Sequence, residues 1–346
     1  MALYPSSSFG GQKPPSQKGT YIIISSILII AVAVLLFYNP FGKEKGEADK
    51  PLAASAGSKM PASVSSTKTG QKSASETFKT AAAGAPTFVP EPNSSVDRRI
   101  DEAMACLNAN PPKIIEARDR LNEVLPMIAN PQKRAFVKEQ LSNLADKWLF
   151  SKIVLPQDKL CSSYKIERGD LLSTVARQFK IPHEILMEIN NISRPEAMQA
   201  GQTIKVINGP FHAKVYRSTF TMDLYLQNTF VRSFKVGLGK SGMETPTGLW
   251  LVKPGGKLIK PTWTDPVTGK TYQADAPDYP LGSRWIGLEG ISGDAKGKTG
   301  FAIHGTKDPN GIGAASSQGC IRLHNGNAVL VYNLLVPGSS QVEITE

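Results

Sequence analysis

The stretch FAIHGTKDPNGIGAASSQGCIRLHN, residues 301–325, decides how this chain is read. A short apolar run, Phe301-Ala302-Ile303, leads into His304, and Cys320 follows sixteen positions later behind Ser316-Ser317-Gln318-Gly319. A lone histidine or a lone cysteine is usually a packing residue. Together, with small polar residues around the sulfur, they read as a nucleophile and its base. The thiolate is the working form, so the thiol pKa must fall from about 8.5 to act near neutrality. A close imidazole achieves this by taking the proton. Backbone amides at Gly319 and Cys320 would then hold a tetrahedral oxyanion, each donor being worth about 3–4 kcal/mol of barrier.

Around this stretch, the chain from Asn208-Gly209-Pro210 onward is strand-rich. Ala213–Phe220, Met222–Gln227 and Phe230–Val236 alternate apolar and polar residues, and Thr245-Pro246-Thr247-Gly248 and Asp265-Pro266 mark turns. Closely spaced short strands predict a mainly-β sandwich over residues 211–346.

Upstream, residues 163–207 predict a βααβ unit. Its parts are a strand at Tyr164–Glu167, a turn at Arg168-Gly169-Asp170, helices at Leu172–Phe179 and His183–Asn190, and a strand at Thr203–Ile207. Gly169 suits a turn conformation that other residues avoid, and Asp170 can cap the following helix. Residues 151–162 read as a connector.

Residues 95–150 show helical periodicity and predict a small α-helical bundle. Val96, Ile100, Met104 and Leu107 share one face; Leu121, Val124, Leu125 and Ile128 form a second stripe; Phe136, Val137, Leu141, Leu144 and Trp148 form a third. Asn110-Pro111 and Asn130-Pro131 each read as an N-cap with a first-turn proline. Pro126 ends or kinks the middle helix. The bundle reads as a spacer or packing module.

Ahead of it, YIIISSILIIAVAVLLFY, residues 21–38, runs 18 residues without a charge. That is long enough to span a bilayer as a transmembrane helix. Neither a small-residue cleavage site nor a cysteine directly follows, which favours an uncleaved anchor over a signal peptide. Lysines flank both ends, so charge does not set the orientation. Residues 1–20 form a polar tail. Residues 39–94, poor in large apolar side chains, cannot bury enough surface to fold and predict a disordered linker. A coil of about 50 residues spans roughly 40 Å.

The 346 residues carry a formal net charge of +11, which suits an anionic polymer or lipid surface. Nucleic acid is excluded as a partner by the absence of any helix-turn-helix, aromatic RNA motif or zinc-finger spacing. The three cysteines include no C-x-x-C pair, and the four histidines form no metal-ligand pattern. Cys106 and Cys161 either bridge each other or remain free thiols.

The βααβ segment resembles a LysM domain over its full length. The shared landmarks are Gly169-Asp170, Leu172, Val175-Ala176, Phe179, Leu186, Asn190, Ile192, Pro195, Gly201-Gln202 and Val206. The resemblance implies affinity for N-acetylglucosamine-containing glycan, peptidoglycan or chitin. Gly169, Asp170, Asn190 and Ile192 are then the candidate glycan-binding residues.

The C-terminal segment resembles the YkuD-like L,D-transpeptidase catalytic domain over about residues 211–346. The family pattern is I-H-G-T, a loop with Pro and Ile-Gly, then S-x-G-C-I-R-M-x-N. Here it reads Ile303-His304-Gly305-Thr306, Pro309, Ile312-Gly313 and Ser317-Gln318-Gly319-Cys320-Ile321-Arg322-Leu323-His324-Asn325. Val236–Gly239, Thr245–Gly248 and Leu281–Trp285 belong to the likeness as well. It implies Cys320 as nucleophile, His304 as base, and the Gly305 carbonyl as the group that orients the ring. Ser317, Gly319, Arg322 and Trp285 are the substrate-side candidates. Arg322 reads equally well as half of a structural salt bridge, and Trp285 as cleft wall or core. Gln318, Leu323, Asn327 and Tyr279 depart from common family residues.

The implied reaction needs no cofactor, metal or nucleotide. Cys320 acylates on the third residue of a peptidoglycan tetrapeptide stem, expels D-Ala, and passes the acyl group to an amine of another stem, giving a 3→3 cross-link. An L,D-carboxypeptidase or endopeptidase, or an enzyme attaching protein to the wall, would use the same acyl-enzyme. A non-catalytic membrane-to-wall tether is the reading from another class. The layout implies a single-pass anchor in the inner or cytoplasmic membrane, with the N-terminus in the cytoplasm and the catalytic domain in the periplasm or cell wall.

Overall fold

The computed structural model describes residues 95–346. The expected tail 1–20, transmembrane helix 21–38 and linker 39–94 lie outside the described residues. Among the described residues, no helix is long and apolar enough to cross a membrane.

Three helices come first: α1 (Ser95–Asn108), α2 (Ile114–Val124) and α3 (Pro131–Trp148). Ile100, Leu121, Val124, Val137, Leu141, Leu144 and Trp148 meet in a shared core, while Phe136 of the expected third stripe is exposed. Asn130 caps α3 as its Asn-Pro signature predicts, accepting from the Lys133 N–H at 2.9 Å. The matching expectation at Asn110-Pro111 fails, because α2 starts only at Ile114 with Lys113 at its N-cap. Pro112 explains the delay, since a proline pushes the residue before it out of helical geometry. Pro126 sits in a short 3-10 turn, Leu125–Met127, that closes α2.

The βααβ unit follows as β1 (Cys161–Lys165), α4 (Leu172–Gln178), α5 (His183–Asn190) and β2 (Thr203–Ile207). Its two strands pair antiparallel from Cys161↔Ile207 to Lys165↔Thr203. The first strand thus begins earlier than its alternation suggests, because Cys161 is buried against the unit's own last residue. Cys106 and Cys161 are both free, buried thiols.

The remaining elements are β3 (Phe211–Tyr216), β4 (Thr221–Leu226), β5 (Thr229–Lys235), β6 (Leu238–Gly239), β7 (Gly248–Leu258), β8 (Trp263–Thr264), β9 (Thr271–Tyr272), β10 (Trp285–Ser292), β11 (Phe301–His304), β12 (Ala315–Ser317), β13 (Ile321–Arg322), α6 (Asn325–Leu334) and β14 (Gln341–Thr345). The mainly-β domain is built around one hydrogen-bonded series of eight strands in the order β13-β11-β10-β7-β14-β3-β4-β5. The first predicted strand overshoots. Phe220 takes a φ of +50° in the turn after β3, which breaks the ladder there. Two pairings in the series are parallel, β14 with β3 and β11 with β13. The second of these builds the site.

Candidate active site

His304 is the last residue of β11, and Cys320 immediately precedes β13. The parallel register Ile303↔Ile321 and His304↔Arg322 brings the two ends together across the intervening loop. His304 and Cys320 line one cleft of ≈ 170 Å³, together with Trp285, Ser317 and Arg322.

The histidine is 4% exposed. Its Nδ1 lies 2.6 Å from the Gly305 carbonyl oxygen. A carbonyl can only accept, so Nδ1 carries the proton. Trp285 stacks on the imidazole with ring centroids 5.6 Å apart and planes inclined by 19°. Cys320 is only partly covered, and its thiol points a weak donor at the Gly300 carbonyl, 3.9 Å away.

The electrostatics differ from the sequence expectation. Burial pushes the Cys320 thiol up to about 11, against smaller opposing effects from the Ala302 backbone and the Arg322 charge. Burial likewise drives His304 down to about 4, helped by the Arg322 charge and opposed by hydrogen bonds to the Gly305 and Leu281 backbone. The resting pair at neutral pH is therefore a neutral thiol and a neutral imidazole, not a standing thiolate. Burial penalises the charged form of each group.

The turn carrying the sulfur is braced from within. Ser317 Oγ donates to the Cys320 carbonyl at 2.7 Å and accepts from the Gly319 N–H at 3.1 Å. Thr245 Oγ1 donates to the Gly319 carbonyl at 2.9 Å and accepts from the Gly239 N–H at 3.0 Å. Gly319 has a φ of +113°, and a Cβ there would meet the Phe301 ring at 2.8 Å. Ser317 thus lines the cleft and braces the turn at once, and the Gly319 amide is already engaged.

Arg322 is no salt-bridge residue among the described residues. Its main chain exchanges hydrogen bonds with Gly237 at 2.8 and 2.9 Å, its Nη1 reaches the Ser316 carbonyl at 3.4 Å, and its Nε is buried without a partner.

Sequence reasoning gave Asn325 no role, yet it ties the catalytic loops together. Its Oδ1 accepts from the Ser283 N–H at 3.0 Å and the Thr306 N–H at 3.2 Å, and its Nδ2 donates to the Thr306 carbonyl at 2.9 Å. The signal was present in Gly282 and Gly305, where a Cβ would fall 2.1 and 2.2 Å from that oxygen. The β8–β9 hairpin was read only as a turn at Asp265-Pro266. It supplies Trp263, Asp265 and Tyr272 to the cleft wall, and Gln318 Nε2 donates to Asp265 Oδ1 at 3.4 Å. Tyr279, one of the departures from the family pattern, is buried and donates its hydroxyl to the Pro261 carbonyl at the hairpin's base.

In the βααβ unit, Gly169 is exposed with a φ of +97°. Asp170 caps the turn and not the helix, accepting from the Glu167 N–H at 2.9 Å and the Tyr164 hydroxyl at 3.0 Å. Asn190 is 2% exposed and spends its amide on Leu186 and on both backbone groups of Lys205. Ile192 is a core residue. Asn190 and Ile192 are thus structural, and of the four glycan candidates Gly169 and Asp170 reach the surface.

Two family models match this chain. The L,D-transpeptidase catalytic domain (YkuD) covers residues 210–344, and the LysM domain covers residues 164–206. A putative L,D-transpeptidase of Bacillus subtilis, YkuD, is 29% identical over 189 residues, which is 53% of this chain and 98% of the relative. A second from the same organism, YqjB, is 34% identical over 134 residues, 38% of this chain and 69% of the relative. The probable L,D-transpeptidase ErfK/SrfK of Escherichia coli is 33% identical over 127 residues, 34% of this chain and 37% of the relative. These matches define an acyltransferase-type enzyme. The chain belongs to the L,D-transpeptidase family, with a LysM domain ahead of its catalytic domain.

Proposed function

We propose that this protein is a peptidoglycan L,D-transpeptidase that forms 3→3 cross-links through a thioacyl-enzyme on Cys320. The observation that carries the reading is the shared cleft, lined by both His304 and Cys320, in which the Gly305 carbonyl holds the Nδ1 side of the His304 ring. As the sulfur attacks the carbonyl of the third stem residue, its proton passes to His304. The bond from that carbonyl to the nitrogen of D-Ala breaks, and the leaving amine takes the proton back. An amine of a second stem then displaces the sulfur, the C–S bond breaks, and its proton returns through His304 to the thiol. The high resting pKa of Cys320 fits a proton that leaves during attack and not before it. The Cys320 amide serves the oxyanion, and the unpaired Nε of Arg322 meets a carboxylate of the stem.

The LysM domain holds the glycan from which the stems hang. Residues 21–38 anchor the chain in the inner or cytoplasmic membrane with the N-terminus inside, and residues 39–94 let the folded part reach the wall. Incubating the purified full-length chain in detergent with wall sacculi, followed by muropeptide analysis, tests the reading. New 3→3 dimers that disappear with Cys320→Ala are expected. Shortened stems without dimers would make it a hydrolase, and no change in either would leave a tether.

A further inference from the structure

Nothing above gives the helical bundle a task, and its contacts supply one. We propose that residues 95–150 are a clamp that locks the LysM domain against the catalytic domain, so that the glycan grip and Cys320 stay at one fixed separation.

The clamp grips the catalytic domain along β5. That strand ends the eight-strand series, so its outer edge would otherwise present unpaired backbone groups. Asn122 of α2 accepts from the Phe230 N–H at 2.8 Å, and its own Nδ2 donates to the Arg118 carbonyl at 3.0 Å, which fixes the amide's direction. Beside it, Lys138 of α3 pairs with Asp223 at 2.5 Å. Asp223 is 0% exposed, so the catalytic domain buries an acid that it neutralises with a lysine from the bundle. Arg232 pairs with Asp146 further along the same helix.

The other jaw holds the LysM domain. Lys205 sits in the middle of β2, is 2% exposed, and sends its ammonium out of the domain. It donates to the carbonyls of Trp148, Ser151 and Ile153, at 2.5, 2.9 and 2.9 Å. These carbonyls lie at and just beyond the end of α3, where a helix leaves its last acceptors open and its dipole favours a cation. One lysine thus closes the end of the bundle, while its backbone N–H and carbonyl hold the LysM amide of Asn190.

The third side of the triangle is a short link. Gly209 donates to the Phe179 carbonyl at 2.9 Å, and a Cβ on it would meet the Lys180 carbonyl at 2.2 Å, so the link is pressed against the LysM domain; the two domains touch directly where Glu188 accepts from Asn333 Nδ2 at 3.3 Å. One continuous apolar core runs through all three parts, from Trp148 and Leu149 to Ile207 and Phe230. Domains joined by small polar interfaces move against each other by default, and a shared apolar core removes that freedom.

The consequence rests on the transpeptidase reading. A LysM domain on a loose tether would raise the local concentration of every stem within reach. A clamped one presents only stems at a set position along the bound glycan. The bundle therefore acts as a ruler for stem selection in polymeric wall.

The test uses the full chain in a Cys320→Ser background, with spin labels at Arg194→Cys in the LysM domain and Ser339→Cys in the catalytic domain, both exposed positions. Pulsed electron resonance should give one narrow distance, broadened by Lys205→Met. In the active chain, the same change should lower turnover of intact sacculi at least tenfold and leave turnover of a soluble disaccharide-tetrapeptide unchanged. If Lys205→Met fails to fold, Asn122→Ala combined with Arg232→Ala loosens the other jaw and carries the same expectation. A broad distance in the unmodified chain overturns the clamp. So does a variant that keeps the narrow distance, or one that loses both substrates equally. An unmodified chain inert on both substrates would sink the transpeptidase reading alone, since the distances judge the clamp without turnover.

Discussion

Trp285 lies nearly parallel to His304, with ring centroids 5.6 Å apart, so the imidazole is held from two directions. The Gly305 carbonyl fixes which nitrogen carries the proton, and the indole fixes the plane of the ring. A ring contact of this kind is worth about 0.5–1.5 kcal/mol. Trp285→Ala should therefore slow acylation of Cys320 by up to about tenfold at unchanged thermal stability. Single-turnover mass spectrometry of the acyl-enzyme checks this, and an unchanged rate would make the tryptophan mere cleft wall.

Alkylation should report the neutral resting pair. With the thiol pushed up to about 11, iodoacetamide should label Cys320 slowly at pH 7 and about tenfold faster per pH unit up to that value. Fast labelling that is flat across neutral pH would mean a standing thiolate and would contradict the burial argument.

Acid should weaken the fold through His304. Its folded pKa of about 4 lies below the ordinary histidine value of 6.5, so the unfolded chain binds more protons between those limits. The stabilisation is complete above about pH 6.5 and is lost as pH falls to about 4, a loss of about 3 kcal/mol. Denaturant melts at pH 7 and pH 4 should show this slope, and His304→Gln should flatten it.

Lys257 has the same sign at higher pH. Its ammonium is largely buried over the Tyr332 ring, with Glu184 at 3.9 Å, and burial lowers it to about 8. The unfolded chain holds more protons between about pH 8 and 10.5, so stability rises across that window as the folded lysine sheds its costly charge. Lys257→Met should raise stability at pH 7 by about 1–3 kcal/mol and gain nothing above pH 10.5. A loss of stability at pH 7 would show that the Glu184 pair outweighs desolvation.

Asn325 joins Ser283 to both backbone groups of Thr306. Asn325→Ala should cost about 1–3 kcal/mol in stability, because it strands two N–H donors and one carbonyl. Acylation should fall further than stability accounts for, since Thr306 follows the carbonyl that orients His304. Comparing melting shift with acylation rate separates the two effects.

Much of the site was legible in the residues. His304 and Cys320 line one cleft, because a histidine ending a buried strand and a cysteine in a glycine turn need only one parallel pairing to meet. What was missed follows from long-range packing. Asn190 looked available to a ligand and is consumed inside its own domain. Ser317 looked substrate-facing and also braces its turn. Asp265 looked like a turn residue and also forms cleft wall.

The sequence by itself determined the order of the LysM and catalytic domains, the helix and strand periods, and the family to which the chain belongs, since these depend on local spacing and side-chain chemistry. Only the tertiary structure decided the burial that shifts His304 and Cys320 and the contacts of the bundle. The burial of His304 and the partial cover of Cys320 come from distant segments folding over them. The partners of Lys205 and Asp223 lie more than fifty residues away along the chain, so no local pattern announces them.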